Sequence, residues 1–360
     1  IVILDEAQQI PRDFHEPITR AMQQMSEYFG VTWVLCTATQ PDLGKQVDAF
    51  GSVLHTGLDK VREIIQEPAA LASELKRVNI EMPSDPDEKI SWQDLSQQLV
   101  KEDCVLVVVN KRQDARALYE LLPDNGDLYH LSANMCAEHR SRILAEIRHK
   151  LSERRAGSQR PLRVVSTQLI EAGVDVDFPV VYRAMAGLDS IAQAAGRCNR
   201  EGRLANHGRV VVFQPEQLPP PGFLRQAAQV TLKLLRSCQL KEPLSPKAIQ
   251  SFFSDLNTQG DRDKHGICRL LKAESSPDAP LAIQFREAAD KFRLIDNKGV
   301  GVVVPFRPEE YEETPVDQWL AMLEQDGSRK WVHRKLQRYS VTLPESLAKQ
   351  LYGMGAIYER

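Results

Sequence analysis

Two adjacent carboxylates, Asp5 and Glu6, close an apolar run at the head of the chain. In open α/β sheets, ligands sit at the carboxyl ends of strands, so a pair of acids there can divide labour. Asp5 can hold a Mg²⁺, directly or through water, and Glu6 can orient and deprotonate an attacking water. Taken alone, Asp5-Glu6-Ala7-Gln8 is equally an acidic strand end facing solvent. Thr37-Ala38-Thr39 closes a second apolar run, Val31 to Cys36. Its hydroxyls can bridge a nucleotide site to a moving neighbour; the plainer alternative is capping of a helix after Pro41.

A third segment, Ser166-Thr167, ends the run Leu162 to Val165 and leads into Glu171-Ala172-Gly173-Val174-Asp175. Gly173 lets backbone approach a ligand closely. Asp175 then faces a ribose or metal-bound phosphates, and Thr167 can donate to a nucleic-acid phosphate. By itself the segment is a glycine turn with a capping acid. The fourth segment is Gln193-Ala194-Ala195-Gly196-Arg197-Cys198-Asn199-Arg200. Its spacing predicts a helix that presents Gln193, Arg197 and Arg200 along one side. Guanidinium forks are planar, always charged and bidentate, which suits a developing phosphoryl charge. The two arginines read as fingers supplied across a domain cleft. Ala192, Ala194, Ala195 and Gly196 around them imply close packing.

These segments need strands and helices in alternation, and the pattern supplies them. Residues 1–6 predict a buried strand, and 13–29 a helix with Phe14, Ile18, Met22 and Met25 on one face. Val31 to Cys36 predicts a strand, 42–50 a short helix, and 57–100 a connector with turn chemistry at Pro83-Ser84-Asp85-Pro86. A new α/β unit then opens with strands at 105–109, 128–132, 162–166, 180–182 and 209–213. Helices are predicted at 111–122, 137–151 and 189–197. Continuous apolar strands alternating with helices predict a parallel sheet covered on both faces. Pro219-Pro220-Pro221 marks a domain exit, followed by helices near 223–238 and 245–257. The tail from 281 reads as a small α+β domain, with a hairpin-like turn at Asn297-Lys298-Gly299. The expected domains are therefore 1–60, 61–214, 215–280 and 281–360.

The chain has 360 residues, 42% of them hydrophobic and 26% charged, as in a globular protein of two or three domains. Its net charge of −3 offers no overall basic field, so any nucleic-acid site must be a local patch. No apolar run reaches the roughly 18 residues of a membrane span, and cytoplasmic location is expected. The six cysteines are dispersed and read as free thiols. His265 and Cys268 have a metal-like spacing, yet one pair cannot close a four-ligand site. The opening Ile1-Val2-Ile3-Leu4, with no initiator Met, reads as a strand already in its core and predicts a fragment. Eight Lys/Arg residues stand between Arg140 and Arg163. Arg329, Lys330, Arg334, Lys335 and Arg338 cluster on a predicted helix with Trp331 and Tyr339 interleaved. Such a mixture can hold phosphates and stack bases; a solvated basic helix is the alternative. Glu309, Glu310, Glu312 and Glu313 read as a solvated acidic face.

Taken in order, the four segments resemble motifs II, III, V and VI of superfamily 2 helicases. Cys36-Thr37-Ala38-Thr39-Gln40-Pro41, Val109-Asn110-Lys111-Arg112, and Gly173-Val174-Asp175-Val176-Asp177 running into Gln193 to Arg203 narrow this further. They resemble the CRISPR-associated helicase–nuclease family of type I interference systems, over roughly residues 1–214. The resemblance implies RecA-like domains, ATP with Mg²⁺, 3′-to-5′ travel on single-stranded DNA, and recruitment to a DNA-bound, Cascade-like surveillance complex. Asp5 and Glu6 then serve Mg²⁺ and water, Arg197 and Arg200 the phosphates, and Asn110, Ser132 and Thr167 lie near the strand backbone. Thr37 and Thr39 join the nucleic-acid set, and Arg334 and Lys335 extend it in the tail.

The chain departs from that family in three places. Gln8 stands where many relatives have His. No Gly-x-x-x-x-Gly-Lys phosphate loop occurs. No His-Asp dipeptide of the family's nuclease occurs among the eight histidines. The expectation is a helicase portion that is inactive as an ATPase alone. A non-catalytic module that binds DNA or the surveillance complex, and a DEAH-type RNA helicase, are the alternatives.

Overall fold

The computed structural model describes residues 1–360 except 38, 40–42, 48–50, 52, 259, 273, 277–278, 295–298, 308–313, 327–328 and 359–360. The acidic run at 309–313, the Asn297-Lys298 turn, and Ala38, Gln40 and Pro41 lie outside the described residues.

The strands along the chain are β1 (Val2–Leu4), β2 (Trp33–Leu35), β3 (Gln46–Val47), β4 (Val53–His55), β5 (Val78–Glu81), β6 (Cys104–Val109) and β7 (Asp127–Leu131). They continue as β8 (Leu162–Thr167), β9 (Val180–Ala184), β10 (Gly208–Phe213), β11 (Glu274–Ser276), β12 (Ala279–Ala282), β13 (Gly299–Val303) and β14 (Ser340–Pro344). The helices are α1 (His15–Phe29), α2 (Pro68–Glu74), α3 (Trp92–Val100), α4 (Arg112–Leu121), α5 (Ala137–Arg155), α6 (Leu188–Ala195) and α7 (Phe223–Arg236). The rest are α8 (Pro246–Asn257), α9 (Ile267–Leu270), α10 (Phe285–Lys291), α11 (Pro315–Asp326), α12 (Lys330–Gln337) and α13 (Glu345–Gly353). Two compact units result: residues 1–76, 187–192 and 220–296 form one, and residues 77–186, 193–219 and 297–360 the other.

The second unit is built on a six-stranded sheet in the order β5-β10-β9-β6-β8-β7, with every pairing parallel. This is the expected α/β sheet with covered faces. Strands β6 and β8 are buried at every position. One face packs Val105, Val107, Val109, Val165, Tyr182 and Ala184 against Leu95 and Leu99 of α3 and Ala115 and Leu118 of α4. The alternate residues Leu106, Val108, Val164, Val181 and Arg183 are buried too, so the second face is also covered. In the tail, β13 and β14 pair antiparallel, and Val316, Val332, Leu336 and Tyr339 form a small core beside them.

In the first unit β1 and β2 pair in parallel, and α1 connects them. The indole of Trp33 donates to the Met22 carbonyl at 3.1 Å, which ties β2 to α1. Helix α7 packs on α8, and Ala228, Val230 and Leu234 of the one and Ile249, Phe252 and Leu256 of the other are buried.

Four expectations are corrected. Strand β1 is not buried: Ile1 and Ile3 are exposed, because its sheet has only two strands among the described residues. Residues 43–47 are not helical, because the backbone there pairs elsewhere. Gly44 bridges Leu58, the Leu58 amide donates to the Leu43 carbonyl at 2.7 Å, and β3 pairs β4. Gly57, at φ +55°, makes this approach possible, since a Cβ there would meet Gly44 backbone at 2.2 Å. The connector 57–100 is more structured than its turn residues suggest. It contains α2, the sheet-edge strand β5, and α3, whose Ser91 cap accepts from the Asp94 amide at 3.1 Å. Of the face predicted on the first helix, Phe14 and Met22 are buried but Met25 is exposed.

Candidate nucleotide and nucleic-acid site

The first unit presents the acidic segment immediately after β1. Glu6 adopts the left-handed conformation, φ 53° and ψ 43°, which is uncommon outside glycine and asparagine. Its amide donates to Asp5 Oδ1 at 3.0 Å. The Gln8 side chain bridges the two motif-like segments of this unit. Its amide nitrogen donates to Glu6 Oε2, and its oxygen accepts from the Thr37 hydroxyl. Backbone bonds from Cys36 to the Leu4 carbonyl, 2.9 Å, and from Ala7 to the Cys36 carbonyl, 3.1 Å, hold the strand ends level. Thr39 is buried, and its hydroxyl has no hydrogen-bond partner among the described residues. Asp5 and Glu6 are exposed, and no group of three or more candidate metal ligands occurs among the described residues. That donor set fits Mg²⁺, which takes one or two carboxylates and fills its sphere with water and phosphate oxygens.

The second unit gathers its candidates at the carboxyl ends of β6, β7 and β8 and in the loop after α6. Asn110 follows β6, Ser132 follows β7, and Thr167 closes β8. Ser132 and Thr167 are buried. Both ends of the Asn110 amide are spent inside the unit. Its Nδ2 donates to the Met185 carbonyl at 2.9 Å, and its Oδ1 accepts from Arg183 Nη1 at 2.8 Å. Gly173 has φ +68° with open space where a Cβ would point, so backbone there is accessible. Asp175 is well exposed and pairs with Arg200 Nε at 2.8 Å.

The two arginines are not side by side on a helix, contrary to the spacing argument. Helix α6 ends at Ala195, and Arg197 and Arg200 lie in the loop beyond it. A backbone bridge between Phe178 and Cys198 and a left-handed Asn199, φ 42°, replace the next helical turn. Arg197 is turned inward and only 8% exposed. Its Nε donates to the Ile170 carbonyl at 2.9 Å and its Nη2 to the Glu171 carbonyl. Arg200 is turned outward, its amide donating to Asp177 Oδ1 at 2.7 Å. Gln193 is half-buried, with its Nε2 lacking a hydrogen-bond partner among the described residues. Burial pushes the neighbouring Cys198 thiol up to about 12, so it offers no nucleophile.

Sequence reasoning missed Arg183 and Asn199. Arg183 is fully buried, with Nε 2.8 Å from Glu171 Oε1. A lone arginine in an apolar strand was the available clue. Asn199 tolerates the left-handed turn and anchors it, donating to the Arg77 carbonyl at 3.0 Å and accepting from the Leu204 amide at 3.2 Å. Asparagine shortly past a helix end was the clue there.

The basic run at 140–163 is largely neutralised within the second unit. Arg142 pairs with Glu138, Lys150 with Glu153, Arg155 with Asp177, and Arg160 with Asp127. In the tail, Lys335 Nζ lies 5.1 Å from the Trp319 ring and 5.4 Å from the Trp331 ring. Arg334, Lys335 and Trp331 are exposed. Tyr339 is not available to stack on bases: it is buried in the tail core, edge-on to Trp319 at 5.6 Å. His265 stacks on Phe14 at 5.0 Å, and burial pushes Cys268 up to about 12, so their spacing reflects packing.

Comparison with known proteins bears on the fold and on residues 101–203. Residues 101–203 match the family model described as CRISPR-associated nuclease/helicase Cas3, C-terminal. A protein of that name from Methanothermobacter thermautotrophicus is 30% identical over 209 residues, covering 55% of this chain and 24% of the relative. Over residues 101–203 the chain thus resembles the C-terminal part of Cas3 nuclease/helicases. A Haloferax volcanii Cas3 is 53% identical over 75 residues, 20% of this chain and 7% of that protein. The fold matches T. fusca Cas3 crystallised with AMPPNP at a TM-score of 0.60 and 18% identity, over 96% of this chain and 47% of that one. It also matches a chain of a CRISPR RNA-guided surveillance complex, pre-nicking, at TM-score 0.55 and 18% identity, over 95% and 49%. The chain spans about a quarter of the first of these relatives and about half of the matched structures. No helix among the described residues is long and apolar enough to cross a membrane.

Proposed function

We propose that the chain carries motor segments of an ATP-dependent, single-stranded-DNA translocase of type I CRISPR interference. The observation that carries this reading is the meeting of the segment between β8 and β9 with the loop after α6. There the Gly173 turn leaves its backbone open, and Asp175, two residues on, pairs with the exposed guanidinium of Arg200 at 2.8 Å. In the other unit, Asp5 and Glu6 would hold the Mg²⁺ of the nucleotide. Bound ATP supplies the phosphoanhydride whose cleavage drives movement. Glu6 would orient the attacking water, with Gln8 fixing its carboxylate against Thr37. Arg200 would exchange Asp175 for phosphate oxygens, while Arg197 and Gln193 shape the loop that carries it. Asp175 and Gly173 approach the nucleotide. Thr37, Thr39, Ser132 and Thr167 follow the DNA backbone, Asn110 stands behind them with its amide engaged by Arg183 and Met185, and Arg334 and Lys335 add a basic patch with an aromatic face.

On this reading residues 61–214 act as the second RecA-like domain, 215–280 as linker helices and 281–360 as an accessory domain. The protein acts in the cytoplasm beside a DNA-bound surveillance complex. The chain alone has no phosphate-loop lysine, so it binds single-stranded DNA without hydrolysing ATP efficiently. The test is DNA binding by fluorescence anisotropy together with a DNA-stimulated ATPase assay on the 360-residue chain. Salt-sensitive DNA binding without turnover supports the reading, and robust turnover refutes the expected inactivity. Preference for RNA in competition points instead to a DEAH-type RNA helicase. Binding to the surveillance complex with no affinity for DNA points to a docking module.

A further inference from the structure

The side chains that meet behind the Gly173 turn form a polar clamp inside an otherwise apolar sheet face. Arg183 of β9 is fully buried. Its Nε is 2.8 Å from Glu171 Oε1, and its Nη1 donates to Asn110 Oδ1 and to the Ala184 carbonyl, each at 2.8 Å. Asn110 donates onward to the Met185 carbonyl, and the Gln168 amide lies 3.4 Å from the Asn110 side-chain and backbone oxygens. The Glu171 carbonyl receives Arg197. Four pieces of chain therefore meet here: the end of β6, the turn after β8, the end of β9 and the loop after α6.

Stability alone is a poor reason for such a cluster. A buried ion pair gives up hydration that its mutual attraction barely repays, and apolar pairs of similar volume often stabilise as well or better. Its specific product is geometry: a planar guanidinium fixes two acceptors at set angles. We propose that Arg183, Glu171 and Asn110 are positioning residues that hold the 168–175 turn and Arg197 in the arrangement that engages DNA and nucleotide. Asn110 thus works by orienting that turn rather than by touching the DNA strand. The inference deepens the functional reading above and rests on it for the DNA readout only.

The test uses the full 360-residue chain and its variants Arg183→Lys, Glu171→Gln, Asn110→Ala and Arg183→Lys/Asn110→Ala. Lysine keeps the charge but cannot span both acceptors, and glutamine keeps the shape without the charge. Hydrogen exchange by mass spectrometry should show residues 168–175 exchanging about tenfold faster, with β6 and β8 protected as before. Single-stranded-DNA affinity should fall about tenfold, the double variant should lose no more than either single one, and the slope of affinity against salt should not change. Unchanged exchange in the turn overturns the clamp. Faster exchange with unaltered DNA affinity, additive losses or a reduced salt slope overturns the positioning role. A wild-type chain that binds no DNA refutes the functional reading, and the exchange data then decide the clamp by themselves.

Discussion

Arg163 offers the sharpest separation between a basic residue that binds a ligand and one that holds the fold. It belongs to the stretch whose charge suggests a nucleic-acid footprint, yet it is only 4% exposed. Its Nε donates to the Leu99 carbonyl at 3.1 Å, its Nη2 to the Val100 carbonyl at 2.7 Å, and its Nη1 to Asn125 Oδ1 at 3.1 Å. Leu99 and Val100 end α3, so the guanidinium bonds the last carbonyls of the helix and meets the negative end of its dipole. Hydrogen bonds to a charged group contribute about 1.5–3 kcal/mol each, and the desolvation of a buried cation takes part of that back. Arg163→Ala should therefore cost about 3–5 kcal/mol. In a unit of roughly 200 residues that lowers the melting midpoint by roughly 10 °C. Thermal melting by circular dichroism measures it, with DNA affinity read below the transition. A variant that melts like the wild type but loses DNA affinity would refute the capping argument.

Removing Arg197 and removing Arg200 should have opposite signatures. Arg197→Ala abandons two buried carbonyl bonds and should destabilise by about 2–4 kcal/mol. Arg200→Ala breaks only an exposed pair with Asp175, should shift stability by less than about 1 kcal/mol, and should lose nucleotide response; equal melting losses would contradict this. Arg334→Glu with Lys335→Glu should weaken single-stranded-DNA binding and flatten its salt dependence by about 1.4 in logarithmic slope. An unchanged slope removes that patch from the interface. His15 is buried, with Nε2 3.0 Å from the Ile10 carbonyl, and burial holds its pKa at about 4, with nearby Arg262, His55 and Arg12 adding to the effect. A histidine depressed in the folded state binds fewer protons there than when unfolded. Its contribution is therefore complete above about pH 7 and is lost as pH falls toward 4, about 3 kcal/mol in all. Urea unfolding across that range should be visibly flatter for His15→Gln, and identical slopes would exclude His15 as the source.

The sheet was legible because its central strand is written as a continuous apolar run: Val105 to Val109 leaves no polar face for a helix to show to water. The motif segments were legible for a related reason, since Asp5-Glu6, Thr37 and Ser166-Thr167 each sit where such a run stops. What failed was local backbone competition. Nothing in residues 43–47 signals that Leu43 and Gly44 will pair with Leu58 rather than start a helix. The edge strand Val78–Glu81 alternates half-buried with exposed residues, so it lacks the continuous run that revealed its neighbours. Arg183 and Tyr339 show the matching limit for side chains. Residue type predicts solvent for one and an exposed ring for the other, and only tertiary partners bury both.

That limit explains why the arginine pair changed meaning. A spacing of three puts two side chains on one helical face only while the helix lasts, and Gly196 and the left-handed Asn199 end it between them. The chain then turns Arg197 toward the carbonyls of Ile170 and Glu171 and leaves Arg200 outside. One arginine is thereby committed to the shape of the loop, and the other, paired with exposed Asp175, is the one that the proposed function would have exchange a carboxylate for a phosphate. An exposed Arg200–Asp175 pair is suited to that exchange, because it contributes little to stability and so costs little to break. A buried Arg197 is not, because leaving its pocket would strand two carbonyls. On the proposed function the catalytic reach of this segment would rest on Arg200, and its precision on whatever fixes the Glu171 carbonyl, which is where the proposed Arg183 clamp acts.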